Sequence, residues 1–195
     1  LIKYPAGNPS TSYVIPKSVT TIIDDAFYSC SDLTDVSIPD SVTFIGDLAF
    51  YDCENLASVT IPKGVTFIGD SAFSGCFALK NFTVDSNNQY FSSDGNGVLF
   101  NKDKTTLVKY PSGNDRTSYT IPDSVTKIGH YAFTFSENLV NIVIPNSVET
   151  IDYGAFSNYI DLTIIKIPDS IVSIYAYGFI DLIFLENVVF VTILT

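Results

Sequence analysis

The sequence predicts a repeat solenoid, mainly β, with parallel stacked strands, short helical or 3-10 turns and an inserted β-hairpin island. Three observations carry that expectation. The dipeptide Ile-Pro recurs at Ile15, Ile38 and Ile61 and again at Ile121, Ile144 and Ile167, with a step of 23 residues inside each trio. Apolar residues alternate with polar ones just ahead of each dipeptide, the two-residue period of a strand. A longer repeat then carries the pattern over: Leu1-Ile-Lys-Tyr-Pro-Ala-Gly-Asn8 matches Leu107-Val-Lys-Tyr-Pro-Ser-Gly-Asn114, an offset of 106 residues. Self-similarity of this kind marks a stack of units, each too small to bury its own apolar face.

Within one unit the elements follow in order. The run Leu33-x-x-Val36-x-Ile38 is a strand, and it recurs at Leu56/Val59/Ile61, Leu79/Phe82/Val84, Leu139/Ile142/Ile144 and Leu162/Ile165/Ile167, with Leu185/Val188/Phe190 as a degraded sixth copy. The proline that follows ends the pairing, because it has no N–H to donate. Val42-Thr-Phe-Ile45 and its equivalents are rich in β-branched residues and form a second short strand. Asp47 to Leu56 is too short for a long helix, so a single helical or 3-10 turn is expected to point Ala49, Phe50 and Cys53 inward. Stacking the units then places Phe27, Phe50 and Phe73 in one internal column and Phe133, Phe156 and Phe179 in another, beside one continuous parallel sheet.

Residues 84–120 depart from the 23-residue period. Asp94-Gly-Asn-Gly97 and Asn101-Lys-Asp-Lys104 are turn signals around Val98-Leu-Phe100 and ahead of Leu107-Val-Lys-Tyr110, which reads as an inserted hairpin. The expected organisation is one continuous solenoid domain. It comprises the end of a truncated island (1–14), a first block of three repeats (15–83), the island (84–120), a second block of three (121–189) and an apolar tail (190–195). The chain begins at Leu1 and contains no Met, so it is read as processed or as a segment of something longer.

The unit Ile-Pro-Asp-Ser-Val-Thr-x-Ile-Gly-x-x-Ala-Phe-x-x-Cys-x-x-Leu resembles the BspA-type leucine-rich repeats of bacterial and protozoan surface proteins, over essentially the whole chain. The resemblance implies a cell-surface or secreted protein associated with adhesion to host proteins or to other microbes. It defines no ligand residues. The last unit departs from the pattern, since Tyr175-Ala-Tyr177-Gly-Phe179 lacks the Gly-Asp pair.

Composition narrows the partners. Hydrophobic residues make up 46% of the 195 and charged ones 16%, which supports a packed core and argues against disorder. The formal charge of −11, with no Lys/Arg cluster, repels nucleic acid. The most apolar stretch, Ile180 to Thr195, is broken by Asp181, Glu186 and Asn187, so no membrane span is read there.

Candidate chemistry is sparse. Cys30, Cys53 and Cys76 lie one repeat apart at equivalent positions and are read as inward-packed thiols. A disulfide between adjacent rungs is disfavoured by parallel Cβ vectors, and an odd count leaves one thiol unpaired. His130 is the single histidine and occupies the slot of Asp47 and Asp70, so neither a His-based catalytic set nor a histidine zinc site is read. Asp85 to Gln89 and Asp94 to Gly97 offer oxygen atoms, but without the glycine and glutamate spacing of a calcium loop. Asn81-Phe-Thr83 fits the N-glycosylation pattern but falls in a strand. No catalytic residue, cofactor or metal is expected.

What remains is a surface. The outward strand positions are Asp35, Ser37, Ser58, Thr60, Asn81, Thr83, Asn141, Val143, Ile164 and Lys166, an array that shifts from small polar toward apolar groups along the stack. Extended faces of this kind suit a protein ligand better than a small molecule, and the resemblance implies that this ligand is an extracellular matrix or cell-surface protein. A plain solvated sheet face is the other reading. A distinct alternative is a structural module that self-associates head to tail through open solenoid ends, using the apolar run Val188 to Leu194.

Overall fold

The computed structural model describes residues 3–157, 164–179 and 187–190. Pairing with the strands at Asp35–Ser37 and Asn141–Val143 puts those at Ser12–Val14 and Ser118–Thr120, which the repeat period leaves in the islands, at the head of the two blocks. In chain order the first block runs β1 (Ser12–Val14), β2 (Thr21–Ile22), β3 (Asp35–Ser37), β4 (Phe44–Ile45), β5 (Ser58–Ile61), β6 (Phe67–Ile68) and β7 (Asn81–Val84). The island holds β8 (Phe91–Ser93), β9 (Leu99–Asn101) and β10 (Thr106–Lys109). The second block runs β11 (Ser118–Thr120), β12 (Lys127–Ile128), β13 (Asn141–Val143), β14 (Thr150–Ile151), β15 (Ile164–Ile167), β16 (Ser173–Ile174) and β17 (Asn187–Phe190).

Two strands per repeat build two separate ladders. The strands preceding Ile-Pro pair in parallel as β1–β3, β5–β7 and β11–β13–β15–β17. The two-residue strands after it stack as β2–β4–β6 and as β12–β14–β16, the second row starting on the island strand β10. Register is that of the repeat: Thr21, Phe44 and Phe67 are in line, as are Ser118, Asn141 and Ile164. The expected single continuous sheet is therefore divided. No regular ladder joins β3 to β5, and the island interrupts both rows between the blocks.

The expected helical turn is also corrected, because among the described residues no helix forms. Asp25, Phe27 and Ser29 send their N–H groups to the Asp47, Ala49 and Tyr51 carbonyls of the next rung, at 3.0, 2.7 and 2.8 Å. The alternating Ala26, Tyr28 and Cys30 N–H groups fold back onto Ile23, Asp25 and Phe27 at 3.2–3.3 Å. A helix directs every N–H along its own axis, whereas here every second one is needed to hold neighbouring rungs together. That alternation turns Asp25 and Ser29 into the left-handed region (φ 55° and 54°), and Leu48 and Asp52 repeat it one rung later (φ 56° and 55°).

A carboxylate chain beside these turns explains the recurrent Gly-Asp pair. Asp24 Oδ1 accepts the Asp47 N–H, and Asp47 Oδ1 accepts the Asp70 N–H, each at 2.9 Å. A Cβ at Gly69 would stand 2.3 Å from Asp47 Oδ1 and 2.5 Å from its backbone nitrogen, so only glycine fits.

The core is columnar, as the spacing predicts. Phe27, Phe50 and Phe73 stack at 4.7 and 5.3 Å with rings nearly parallel, and Phe133, Phe156 and Phe179 do so at 5.0 and 5.2 Å. Each column begins on a tyrosine: Tyr4 lies 5.3 Å from Phe27, and Tyr110 lies 5.4 Å from Phe133. The 106-residue repeat therefore extends to the packing.

The island is an antiparallel meander of β8, β9 and β10, whose last strand pairs in parallel with β12 and so starts the second block. Its middle strand faces two ways. Leu99 packs into the core of the first block, while Val98 and Phe100 pack into that of the second. Buried Asn88 anchors the near side: its Nδ2 donates to the Pro62 and Val65 carbonyls at 2.8 and 3.0 Å, and its Oδ1 accepts the Tyr90 and Phe91 N–H groups at 2.8 Å. On the other row Phe82 N–H donates to the Gly97 carbonyl at 2.9 Å, and Asn114 Nδ2 bridges the Lys80 and Asn96 carbonyls.

Candidate functional site

The strand positions singled out from the sequence are displayed outward. Asp35 and Ser37 on β3, Ser58 and Thr60 on β5, Asn81 and Thr83 on β7, Asn141 and Val143 on β13 and Lys166 on β15 are all exposed. Their inward neighbours Val36, Val59, Phe82, Ile142 and Ile165 are buried. The period-2 alternation produces this directly, since a strand sends successive side chains to opposite faces. Ile164 lies on β15 in register with Asn141, but its side chain falls outside the described residues, as do those of the Val188–Leu194 run.

The structure brings only some of these residues together. Asn141, Val143 and Lys166 border a shallow depression of about 300 Å³ with Asn146 and Pro168. Asp35 through Thr83 sit on the first-block rows, separated from β11 and β13 by the island loop. Four further outward residues belong to the same face: Ser12 and Val14 on β1, and Ser118 and Thr120 on β11. Val14 is 72% exposed, the most solvated large apolar residue of the first block. Their signal was present in the alternation of Tyr13 with Ile15 and Tyr119 with Ile121, masked because those strands lack the leading Leu.

The three thiols are free and buried. Cys53 and Cys76 Sγ each donate to a carbonyl one rung back, Phe27 and Phe50, at 3.1 Å. Burial pushes both thiols up, Cys76 to about 12, so they remain protonated and unreactive at neutral pH.

His130 does more than fill a surface slot. Its Nδ1 lies 2.7 Å from Asp70 Oδ2 in the first block, and its Nε2 lies 2.8 Å from Asp152 Oδ1 in the second. Asp152 Oδ2 in turn meets Lys127 Nζ at 2.6 Å. Burial acts to raise the Asp152 carboxyl, but hydrogen bonds from Lys127 and the Tyr153 N–H, with His130 nearby, outweigh it and hold the group below its usual range. The two carboxylates take opposite edges of the imidazole and do not converge on one point. Among the described residues no cluster of three or more His, Cys, Asp or Glu could hold a metal ion.

This bridge lines a cleft of about 230 Å³ where the two blocks meet. At its base Lys109 Nζ donates to the Tyr131 and Thr134 carbonyls at 3.0 and 3.1 Å. Burial drives its pKa down to about 7. No motif announces this junction, because its walls come from segments about 60 residues apart.

The sequence model described as BspA type leucine rich repeat region matches residues 6–116 and 110–195, in six copies. Among solved structures, the chain is 29% identical to a leucine-rich repeat protein from Eubacterium ventriosum, covering 92% of this chain and 54% of that one with a TM-score of 0.78. It is 29% identical to a leucine rich cell surface protein from Faecalibacterium prausnitzii (91% and 52%, TM-score 0.72). It is 28% identical to the pneumococcal vaccine antigen PcpA (92% and 50%, TM-score 0.72). The chain thus spans about half the length of these proteins. No curated protein matches it. Among the described residues no helix is long and apolar enough to cross a membrane.

Proposed function

The chain belongs to the BspA-type leucine-rich repeat family, and on that premise we propose that it is a non-enzymatic cell-surface or secreted module that binds a protein ligand. The ligand is a host matrix protein or a protein on another cell, and the contact is the outward strand face. The observation that carries this reading is the depression on β13 and β15. There Val143, 47% exposed, lies beside the amide of Asn141 and the cation of Lys166 on a frame of paired strands. Apolar contact area beside a few directional polar groups, on a surface that does not deform, is what a protein partner uses. Asp35, Ser37, Ser58, Thr60, Asn81 and Thr83 form a second, polar stretch of outward strand face on the first block, and Ile164 belongs to the β13–β15 stretch by register. The placement at a surface rests on the family and on relatives such as the cell surface protein and the vaccine antigen.

Biolayer interferometry of the purified chain against immobilised matrix proteins, intact microbial cells and itself tests this. Saturable binding to a matrix protein or to cells, lost in the combined variant Asn141→Glu, Val143→Glu and Lys166→Glu, is the expected result. Binding only to itself and indifferent to those changes would overturn it in favour of head-to-tail assembly through the solenoid ends.

A further inference from the structure

The turn side of the first block carries an aromatic column with a missing member. Tyr28 and Tyr51 occupy equivalent places in successive rungs and stack face to face, 5.3 Å apart and 11° from parallel. The next rung supplies Ser74 at that place. No further ring among the described residues stacks on Tyr51, and its side chain lines a cleft instead. Opposite, across the block junction, stand Tyr131 and Phe135. Between them lies a cleft of about 340 Å³, at the small end of the range in which proteins hold ligands.

The floor of the cleft is polar. Ser71 and Ser74 line it, and Ser74 is 1% exposed with its Oγ lacking any hydrogen-bond partner. A buried hydroxyl left unpaired is disfavoured, so it marks a position where something else can complete the bond. The same two serines and Tyr131 also line the adjoining polar cleft, so the aromatic slot opens onto Asp70, Lys127 and His130.

We propose that this slot is a saccharide-binding subsite that takes one ring of a neutral, hydroxyl-rich glycan. A pyranose has an apolar ring face to lay on Tyr51 and a rim of hydroxyls to meet Ser74 and the polar wall beyond it. A prolyl or phenyl ring would fill the face but offer no donor to the carboxylates and carbonyls around it. Anionic glycans are disfavoured by the charge of −11. The junction assembles the site, since Tyr51 belongs to the first block and Tyr131 to the second. It is separate from the strand face and stands or falls independently of the protein-binding reading.

Isothermal titration calorimetry of the full chain with neutral hexaoses (maltohexaose, cellohexaose and mannohexaose) tests the assignment, with decaproline and a sulfated glycan as the other arms. The expected result is saturable binding of a neutral hexaose and of neither other arm. Tyr51→Ala should weaken it at least tenfold and Ser74→Ala severalfold. Tyr51→Phe, which keeps the ring, should largely retain it, as should the strand-face triple variant. Thermal unfolding of each variant separates loss of the subsite from loss of the fold. No saturable binding of any hexaose, binding that survives Tyr51→Ala in a folded protein, or preferential binding of decaproline or the sulfated glycan would overturn it.

Discussion

At the scale of single residues, the phenylalanine columns carry more of the fold than their number conveys. Phe50 is fully buried and sandwiched between Phe27 and Phe73, so its removal opens a void that both neighbouring rungs line. Phe50→Ala should lower stability by about 3–5 kcal/mol. Phe67 stacks on Phe44 at a similar 4.8 Å, yet it is 45% exposed. Water already covers much of that ring, so Phe67→Ala should cost only about 1 kcal/mol. Urea unfolding of both variants distinguishes the two columns, and equal midpoints would show that the Phe50 rung closes over the cavity. The cysteine column is a quieter version of the same packing. Equivalent spacing of three thiols reads as a pattern in the sequence, and in the structure they are small core groups turned onto carbonyls.

Among the elements, β9 is the one whose role its own residues do not announce. Val98-Leu-Phe100 reads as a strand beside a turn, but a run of three apolar residues does not say which sides it serves. The structure places Leu99 in one core and Phe100 in the other. The two residues should therefore differ in where their loss is felt. In hydrogen-exchange mass spectrometry, Leu99→Ala should deprotect β5–β7 first, whereas Phe100→Ala should deprotect β11–β13 first. Uniform deprotection in both variants would mean that the blocks open as a single unit, with no boundary at β9. Nearest-neighbour coupling along a stack is the physical basis for expecting a difference.

For the whole molecule, the junction sets how stability depends on pH. Lys109 is held near pKa 7 by burial, below the roughly 10.4 of a free lysine. Between those values the unfolded chain binds a proton that the folded chain does not, so its contribution to stability rises with pH through that window. Cys53 and Cys76 act in the opposite sense. Their folded values are raised, so above about pH 8.5 the unfolded thiols ionise while the folded ones stay neutral, and stability is lost. Together these groups predict a maximum in melting temperature between about pH 8 and 9. Lys109→Met should flatten the rise from pH 7 to 8.5 and leave the alkaline fall in place. Melting curves across that range read it, and an unchanged rise in the variant would remove Lys109 as its source.

The rung is legible in the residues alone: its length, its two strands, the inward Phe and Cys columns and the outward strand face. These follow from alternation and from the identity of equivalent positions, which act within one repeat or between adjacent ones. The sequence also placed the chain in its family, since the same short motif recurs in six copies. The form of the turn was decided by tertiary structure, because its N–H groups choose between their own segment and the next rung only when that rung is present. So was everything at the junction. His130 meets Asp70 and Asp152, Tyr51 comes to share a cleft with Tyr131, and β9 divides two cores because the island's bulk and register set one block against the other. No local period encodes that placement, and the most distinctive groups of the molecule lie there.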